Sequence, residues 1–382
     1  MQNTYRVLVI ASNSSMNSGA SRSLVTFVSI IQKQRKDFSL EVLIPMHGDI
    51  EEFLKEEKIK YKVLLYSNKL WRKSIDSKCG LISKLLREIV VFVADLKLNI
   101  LSKRFDLIHI NALTTNMGAE AAYKNRKKVL WHFREFMEED LGEEFVCKKE
   151  ALQLIDKADA RIAISESVAE KYRSILNNEI KVIYNGIDHN RYYLKRDILR
   201  DEFVRVFLPG RITSQKGQML LLKALKTLKD QGRSDIFVTI IGSGDKEYID
   251  LLKGYVEENE LPVNIIEPRN NIIELYQKHD VVCVCSYCEA FGRVTVEGMM
   301  TGNVVLGSNS GATAELIENE ETGFLYERDN VLSLAQKLEY IATHRDIARK
   351  IALKGQQKAV ENFTAEKNAE QIYKLYQSVL GV

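Results

Sequence analysis

The sequence predicts an α/β fold in two domains, each built on a parallel sheet. Three observations lead there. Short apolar runs alternate along the whole chain with helical patterns of about ten to twenty residues, and strands joined through helices run parallel. The chain has 382 residues, long for one hydrophobic core and ordinary for two. Only four prolines interrupt the alternation. It pauses just after Asn185 and Gly186, so a hinge is expected near 187–195.

The first apolar run, 6–10 within MQNTYRVLVIASN, reads as a buried strand. It lacks the basic start and long apolar core of a signal peptide. The turn after it, SNSSMNSGASRSL, is rich in small residues and Ser caps and leads into a helix near Gly19. It is either an ordinary capped turn or an amide pocket for a phosphate, with Gly19 nearest the ligand. Runs at 42–44, 62–65, 107–110, 128–131, 161–164 and 181–184 supply the remaining strands of the first domain. Between them lies GLISKLLREIVVFVADLKLNIL, preceded by Lys69, Arg72, Lys73 and Lys78 and carrying or followed by Lys97, Lys103 and Arg104. Its simplest reading is a core helix. The other is an amphipathic helix at an anionic membrane surface, and a second basic run at 124–128 keeps peripheral membrane contact open. WHFREF places His132 at the carboxyl end of a strand, where an open parallel sheet binds its ligands and where a His can hold a hydroxyl or phosphate. Arg134 and Glu135 are candidates to meet an acceptor or bridge the domains. Asn111 ends the strand DLIHIN and is a further candidate, whereas His109 inside that strand reads as structural.

The second domain is expected to use strands at 204–208, 236–241, 263–266, 281–285 and 304–307, with a final helix over 364–380. LPGRITSQKG follows the first of these and brackets one spot with two cations, Arg211 and Lys216. Against a diphosphate about 4 Å away, each is worth on the order of 4 kcal/mol before desolvation at an effective dielectric of about 20. IIGSGDKEY has Gly242 and Gly244, but Glu247 where a dinucleotide fingerprint needs a third glycine, so a nicotinamide enzyme does not fit. In VVCVCSYCEAFGRVTVEGMMTGNVV a strand turns into an apolar helix and two carboxylates stand in a Glu-x7-Glu spacing. Glu289 sits at the strand's end and Glu297 inside the helix, where a carboxylate needs a partner. The backbone at Phe291 and Gly292 opens the helix and suits a phosphate. Glu297 can then accept from a ribose diol, or serve only as a salt bridge that ties the helix down.

CEAFGRVTVEGMMTGNVVLGSNSGATAEL, together with the Arg211–Lys216 motif, resembles the signature of retaining glycosyltransferases of family four. Glu289, Phe291, Gly292, Glu297, Gly298, Met299, Gly302 and Glu315 fit the pattern, while Asn303 stands where proline is usual. The resemblance implies the GT-B architecture: two Rossmann-like doubly wound domains facing across a cleft, 1–186 with 364–382 on the acceptor side and 187–363 on the donor side. It implies Glu289 and His132 as catalytic, Glu297 on the ribose, and Arg211, Lys216, Gly19, Phe291 and Gly292 on the diphosphate. It also places 266–269 at the nucleobase. No cofactor or metal is expected. The donor is expected to be a UDP-sugar rather than a GDP-sugar, and the acceptor a carbohydrate or lipid-linked saccharide.

A net charge of +3 argues against a nucleic-acid partner, and five cysteines of irregular spacing suit a reducing compartment. A cytoplasmic protein, free or peripheral at the inner face of a membrane, is therefore expected. Two other functions fit the same architecture. An epimerase or hydrolase would need no acceptor, and a non-catalytic glycan-assembly subunit would show damaged donor motifs.

Overall fold

The computed structural model describes residues 4–74, 81–139, 141–269 and 271–382. Lys78 and Gly80, named above, lie outside these. The chain divides into two compact units, Met1–Gly186 with Ala365–Val382, and Ile187–Thr364.

The first unit carries strands β1 (Tyr5–Ile10), β2 (Phe38–Ile44), β3 (Lys60–Val63), β4 (Arg72–Ser74), β5 (Leu107–Ile110), β6 (Lys128–Phe133), β7 (Glu143–Phe145), β8 (Ala160–Ala163) and β9 (Lys181–Val182). Its helices are α1 (Gly19–Gln34), α2 (Ile50–Glu56), α3 (Leu81–Ser102), α4 (Ala119–Lys124), α5 (Lys148–Asp156) and α6 (Glu166–Arg173). Seven strands form one parallel sheet in the order β3-β2-β1-β5-β6-β8-β9. The order reverses beside β1, so the ligand-binding switch point lies at the ends of β1 and β5. On one face Val7, Val9, Leu107, Leu130 and Ile162 pack against Leu24, Phe27 and Val28 of α1. The short antiparallel pair β4–β7 has no counterpart among the strands expected from sequence.

The second unit begins with α7 (His189–Tyr192). It contains β10 (Val204–Pro209), α8 (Gln218–Asp230), β11 (Ile236–Ile241), α9 (Lys246–Glu258), β12 (Val263–Ile266), α10 (Ile272–Lys278), β13 (Val281–Val284), α11 (Arg293–Met300), β14 (Val304–Ser308), α12 (Gly311–Leu316), β15 (Phe324–Tyr326), α13 (Val331–Thr343) and α14 (Arg345–Asn362). All six strands are parallel, in the order β12-β11-β10-β13-β14-β15, and the switch point lies between β10 and β13. β15 adds a sixth strand to the five expected. It spans three residues, too few for a periodicity to register. The chain returns to the first unit as α15 (Ala365–Leu380), whose Ile372, Leu375 and Tyr376 complete the core beside α1, with Tyr376 meeting Phe38 of β2 and His109 of β5.

The 81–102 segment corrects the simpler sequence reading. α3 forms, but it is not a core helix: Leu85, Leu86, Ile89, Phe92, Val93, Leu96 and Ile100 are each exposed. No helix among the described residues is long and apolar enough to cross a membrane.

Candidate active site

In the second unit the switch point gathers residues far apart in sequence. After β10 the chain passes Arg211, makes a tight turn over Ser214–Lys216 and enters α8. This turn carries Lys216 to the end of β13, where its Nζ lies 2.7 Å from Glu289 Oε1. Ser286 Oγ donates to the same oxygen at 2.5 Å. Oε2 of Glu289 accepts no hydrogen bond among the described residues. Burial pushes the Glu289 carboxyl up, but the Lys216 charge and the bonds from Lys216 and Ser286 outweigh it and hold the group below its ordinary value. Glu289 is therefore a carboxylate at neutral pH, unable to donate a proton. Arg211 is exposed, and its guanidinium forms no ion pair among the described residues. Its carbonyl accepts from Gln218 Nε2 at 2.8 Å.

The Gly242-x-Gly244 turn has a packing reason. A Cβ on Gly242 would lie 1.7 Å from the carbonyl oxygen of Gly210, and one on Gly244 1.9 Å from that of Ile212. Glycine here lets the end of β11 lie against the segment that carries Arg211.

Glu289 is fixed from behind, since its carbonyl accepts from Ala312 N at 2.9 Å, at the start of α12. Two residues further on, Phe291 turns its ring inward against Phe363, with centroids 6.2 Å apart. Gly292 caps α11 at φ 81°, a left-handed conformation that favours glycine. Within α11 both oxygens of Glu297 are partnered: Oε2 accepts from Tyr276 OH at 2.9 Å and Oε1 from Arg293 Nη2 at 3.3 Å. The tie-down that the sequence left open is thus present. Each oxygen keeps a lone pair, so a further donor can still be accepted. Asn303, at the proline position, donates to the carbonyls of Tyr276 and His279 at 3.1 and 2.6 Å. It holds the end of α10, which supplies Tyr276.

In the first unit His132, Arg134 and Asn111 meet in one buried network. Arg134 donates to Asn111 Oδ1 at 2.8 Å and to Asn185 Oδ1 at 2.7 Å. Its Nη2 also lies 3.2 Å from His132 Nδ1. Asn111 Nδ2 reaches the carbonyl of Ala20 at 3.4 Å, which puts the network against the first turn of α1, beside exposed Gly19. His109 is more than structural filling. Its Nδ1 lies 2.7 Å from Tyr376 OH and its Nε2 3.2 Å from His132 Nδ1. Burial, then the Arg134 charge, push both rings well below the ordinary histidine value, so both are neutral.

The network also fixes where the protons sit. A guanidinium only donates, so His132 Nδ1 is an acceptor and the ring proton is on Nε2. His109 must then donate from Nε2 and accept from Tyr376 at Nδ1. The outcome is a fully buried His132 Nε2–H with no partner among the described residues. An orphaned buried donor costs about 1–3 kcal/mol, so its retention at a strand end makes His132 a candidate ligand contact.

Glu135 is turned elsewhere: its oxygens accept from Thr114 N and Arg134 N at 2.9 and 3.0 Å. Burial raises its carboxyl to about 7. The hydrogen bonds of Glu135 and Arg134 described here all lie within the first unit. Sequence reasoning missed Tyr376, Asn185, Ser286 and Tyr276. A tyrosine or asparagine in a helix or loop carries no signal of the partner it meets.

Two Rossmann-like parallel-sheet units, each with polar and charged side chains at its switch point, define a protein of GT-B architecture. The comparisons with known proteins agree. The family model described as Glycosyl transferases group 1 matches residues 195–358, and that described as Glycosyltransferase Family 4 matches residues 6–191. The chain belongs to this group 1, family four, glycosyltransferase family. An uncharacterized glycosyltransferase of Methanocaldococcus jannaschii is 26% identical over 239 residues, 58% of this chain and 61% of that protein. The capsular polysaccharide biosynthesis glycosyltransferase CapM of Staphylococcus aureus is 26% identical over 235 residues, 57% of this chain and 61% of CapM. These alignments thus span about three fifths of the relatives' own length. Among solved structures, Anabaena HepE in complex with UDP and glucose superposes with a TM-score of 0.79, at 22% identity, covering 98% of this chain and 100% of that one.

Proposed function

We propose that this chain is a retaining glycosyltransferase. In this reading it moves a sugar from a nucleoside-diphosphate donor to a hydroxyl of a carbohydrate or lipid-linked saccharide, in polysaccharide or glycolipid assembly. The observation that carries it is the Lys216–Glu289 pair at the switch point of the second unit, with Glu289 Oε2 accepting no hydrogen bond among the described residues. A UDP-sugar is preferred over a GDP-sugar, in keeping with the UDP held by HepE. The capsular role printed for CapM supports the pathway. The working compartment is the cytoplasm, which suits the reduced thiols of Cys147, Cys283 and Cys285.

Lys216 and Arg211 bind the diphosphate, aided by the backbone at Phe291 and Gly292 where α11 begins, and by Gly19 at the start of α1. Glu297 accepts from the ribose diol. As the bond from the anomeric carbon to the diphosphate oxygen breaks, its electron pair leaves with the phosphate, and the two cations favour that charge. Positive charge grows on the sugar, and the Glu289 carboxylate stabilises it. The acceptor oxygen attacks from the side the phosphate leaves, and its proton passes to that phosphate. Neutral His132 donates from Nε2 to a sugar hydroxyl or phosphate oxygen and takes no proton. Arg134, itself held by Asn111, fixes His132 and leaves the acceptor to the surface around it. No step needs a divalent metal, because the cations supply the charge.

Proton NMR of the new linkage tests the stereochemistry. An α-linked donor should give an α-linked product, and a β-linked product would overturn the reading. Activity should survive exhaustive chelation. Loss that Mg²⁺ or Mn²⁺ restores would refute metal independence.

A further inference from the structure

Helix α3 presents a face that the described chain leaves uncovered. Its 22 residues span about 33 Å. Leu85, Leu86, Ile89, Phe92, Val93, Leu96 and Ile100 are between 44% and 69% exposed. At helical spacing they fall within one sector of about 120°. The opposite side is anchored by Ala94, Leu98 and Ser102, each no more than 2% exposed. A contiguous apolar stripe of this size on a soluble surface marks an interaction site.

The charge around the stripe is one-sided. Lys97 borders it, and Lys103 and Arg104 follow at its C-terminal end, all exposed. Asn125 draws a second basic group to the same end, because its Nδ2 donates to Asn99 O, Asn99 Oδ1 and Ser102 Oγ at 2.7, 3.0 and 2.8 Å. Lys124, Arg126 and Lys127 flank that asparagine. The acids of α3, Glu88 and Asp95, lie off the stripe on the helical wheel.

We propose that α3 docks this protein on an anionic lipid surface, with its apolar stripe at the boundary of headgroups and acyl chains and its basic end against the lipid phosphates. A second copy is the weaker occupant. Two-fold pairing of α3 would bring this basic end to a face with no acidic cluster among the described residues, while an anionic leaflet complements both the stripe and the charge. The proposal goes beyond the donor-site reading and does not depend on it, so each can fail alone.

Co-sedimentation of the full chain with vesicles of phosphatidylcholine, alone or with about one third phosphatidylglycerol, tests it. The protein should bind the anionic vesicles, release as salt rises, and bind neutral ones far less. Phe92→Glu should weaken binding at least about tenfold, and Lys103→Glu with Arg104→Glu by about fivefold for each cation lost. Ile100→Gln provides a second, uncharged disruption of the stripe, and unchanged melting shows that the variants fold. Absence of sedimentation with anionic vesicles overturns the proposal, as does equal binding by the variants. So does a dimer in light scattering that Phe92→Glu splits, since the stripe would then pair two copies.

Discussion

Replacing Lys216 by Met separates the chemistry of the donor site from its folding. At 2.7 Å from Glu289, the Lys216 ammonium attracts the carboxylate by on the order of 6 kcal/mol before desolvation, at an effective dielectric of about 20. The two side chains are 25% and 20% exposed, so the pair lies between a surface ion pair and a buried one. Removing the cation should cost about 2 kcal/mol, a fall in Tm of about 4–8 °C for a unit of this size. The pH dependence is the sharper test. In the wild type Glu289 titrates below 4.5, so its contribution is present above that value and lost as pH falls through the folded one. In Lys216→Met, burial acts against Ser286 alone and the carboxyl rises above its ordinary value. The deficit in Tm should therefore be largest near neutral pH and fade in acid, where both proteins carry a protonated Glu289. Calorimetry from about pH 3 to about pH 8 measures this. The acid limb of the rate profile should move upward by the same cause. A deficit that is constant with pH, or absent, would refute the argument that Lys216 sets the charge of Glu289.

Three further outcomes are expected. Arg211→Ala should lower kcat/KM by roughly tenfold or more with Tm unchanged, because the side chain is exposed and, in the proposed reading, contacts only the leaving diphosphate; wild-type turnover would remove Arg211 from the site. Tyr376→Phe leaves His109 Nδ1 without its donor, at a cost of about 1–3 kcal/mol; ¹⁵N NMR of labelled histidines should show His109 and His132 each as the Nε2–H form in the wild type and mixed in the variant, and identical spectra would break the relay. Glu135 is raised from 4.5 to about 7, so its stabilising contribution is complete below 4.5 and lost as pH rises through about 7; Glu135→Gln should flatten that part of the Tm profile, and an unaltered slope would show that the carboxyl does not titrate there.

The sequence alone determined the alternation of strand and helix, the seven main strands of the first unit and five of the six in the second. Apolar runs and their spacing are local properties, and each run buries itself on a sheet wherever the helices allow. The sequence also marked Glu289 and Lys216 as chemistry at strand ends, since a charge beside an apolar run is visible without coordinates. What it could not determine is which groups meet. Lys216 and Glu289 are 73 positions apart, and only the strand order β10-β13 makes them neighbours. His109 and Tyr376 are 267 positions apart, and their contact exists because α15 returns to pack beside α1 over β2 and β5. From that contact follow the proton positions on His109 and His132. The reading of α3 turned on tertiary structure for the same reason. Hydrophobic periodicity shows that a helix has an apolar face, but whether the fold covers that face depends on every other element. Here no described element covers it.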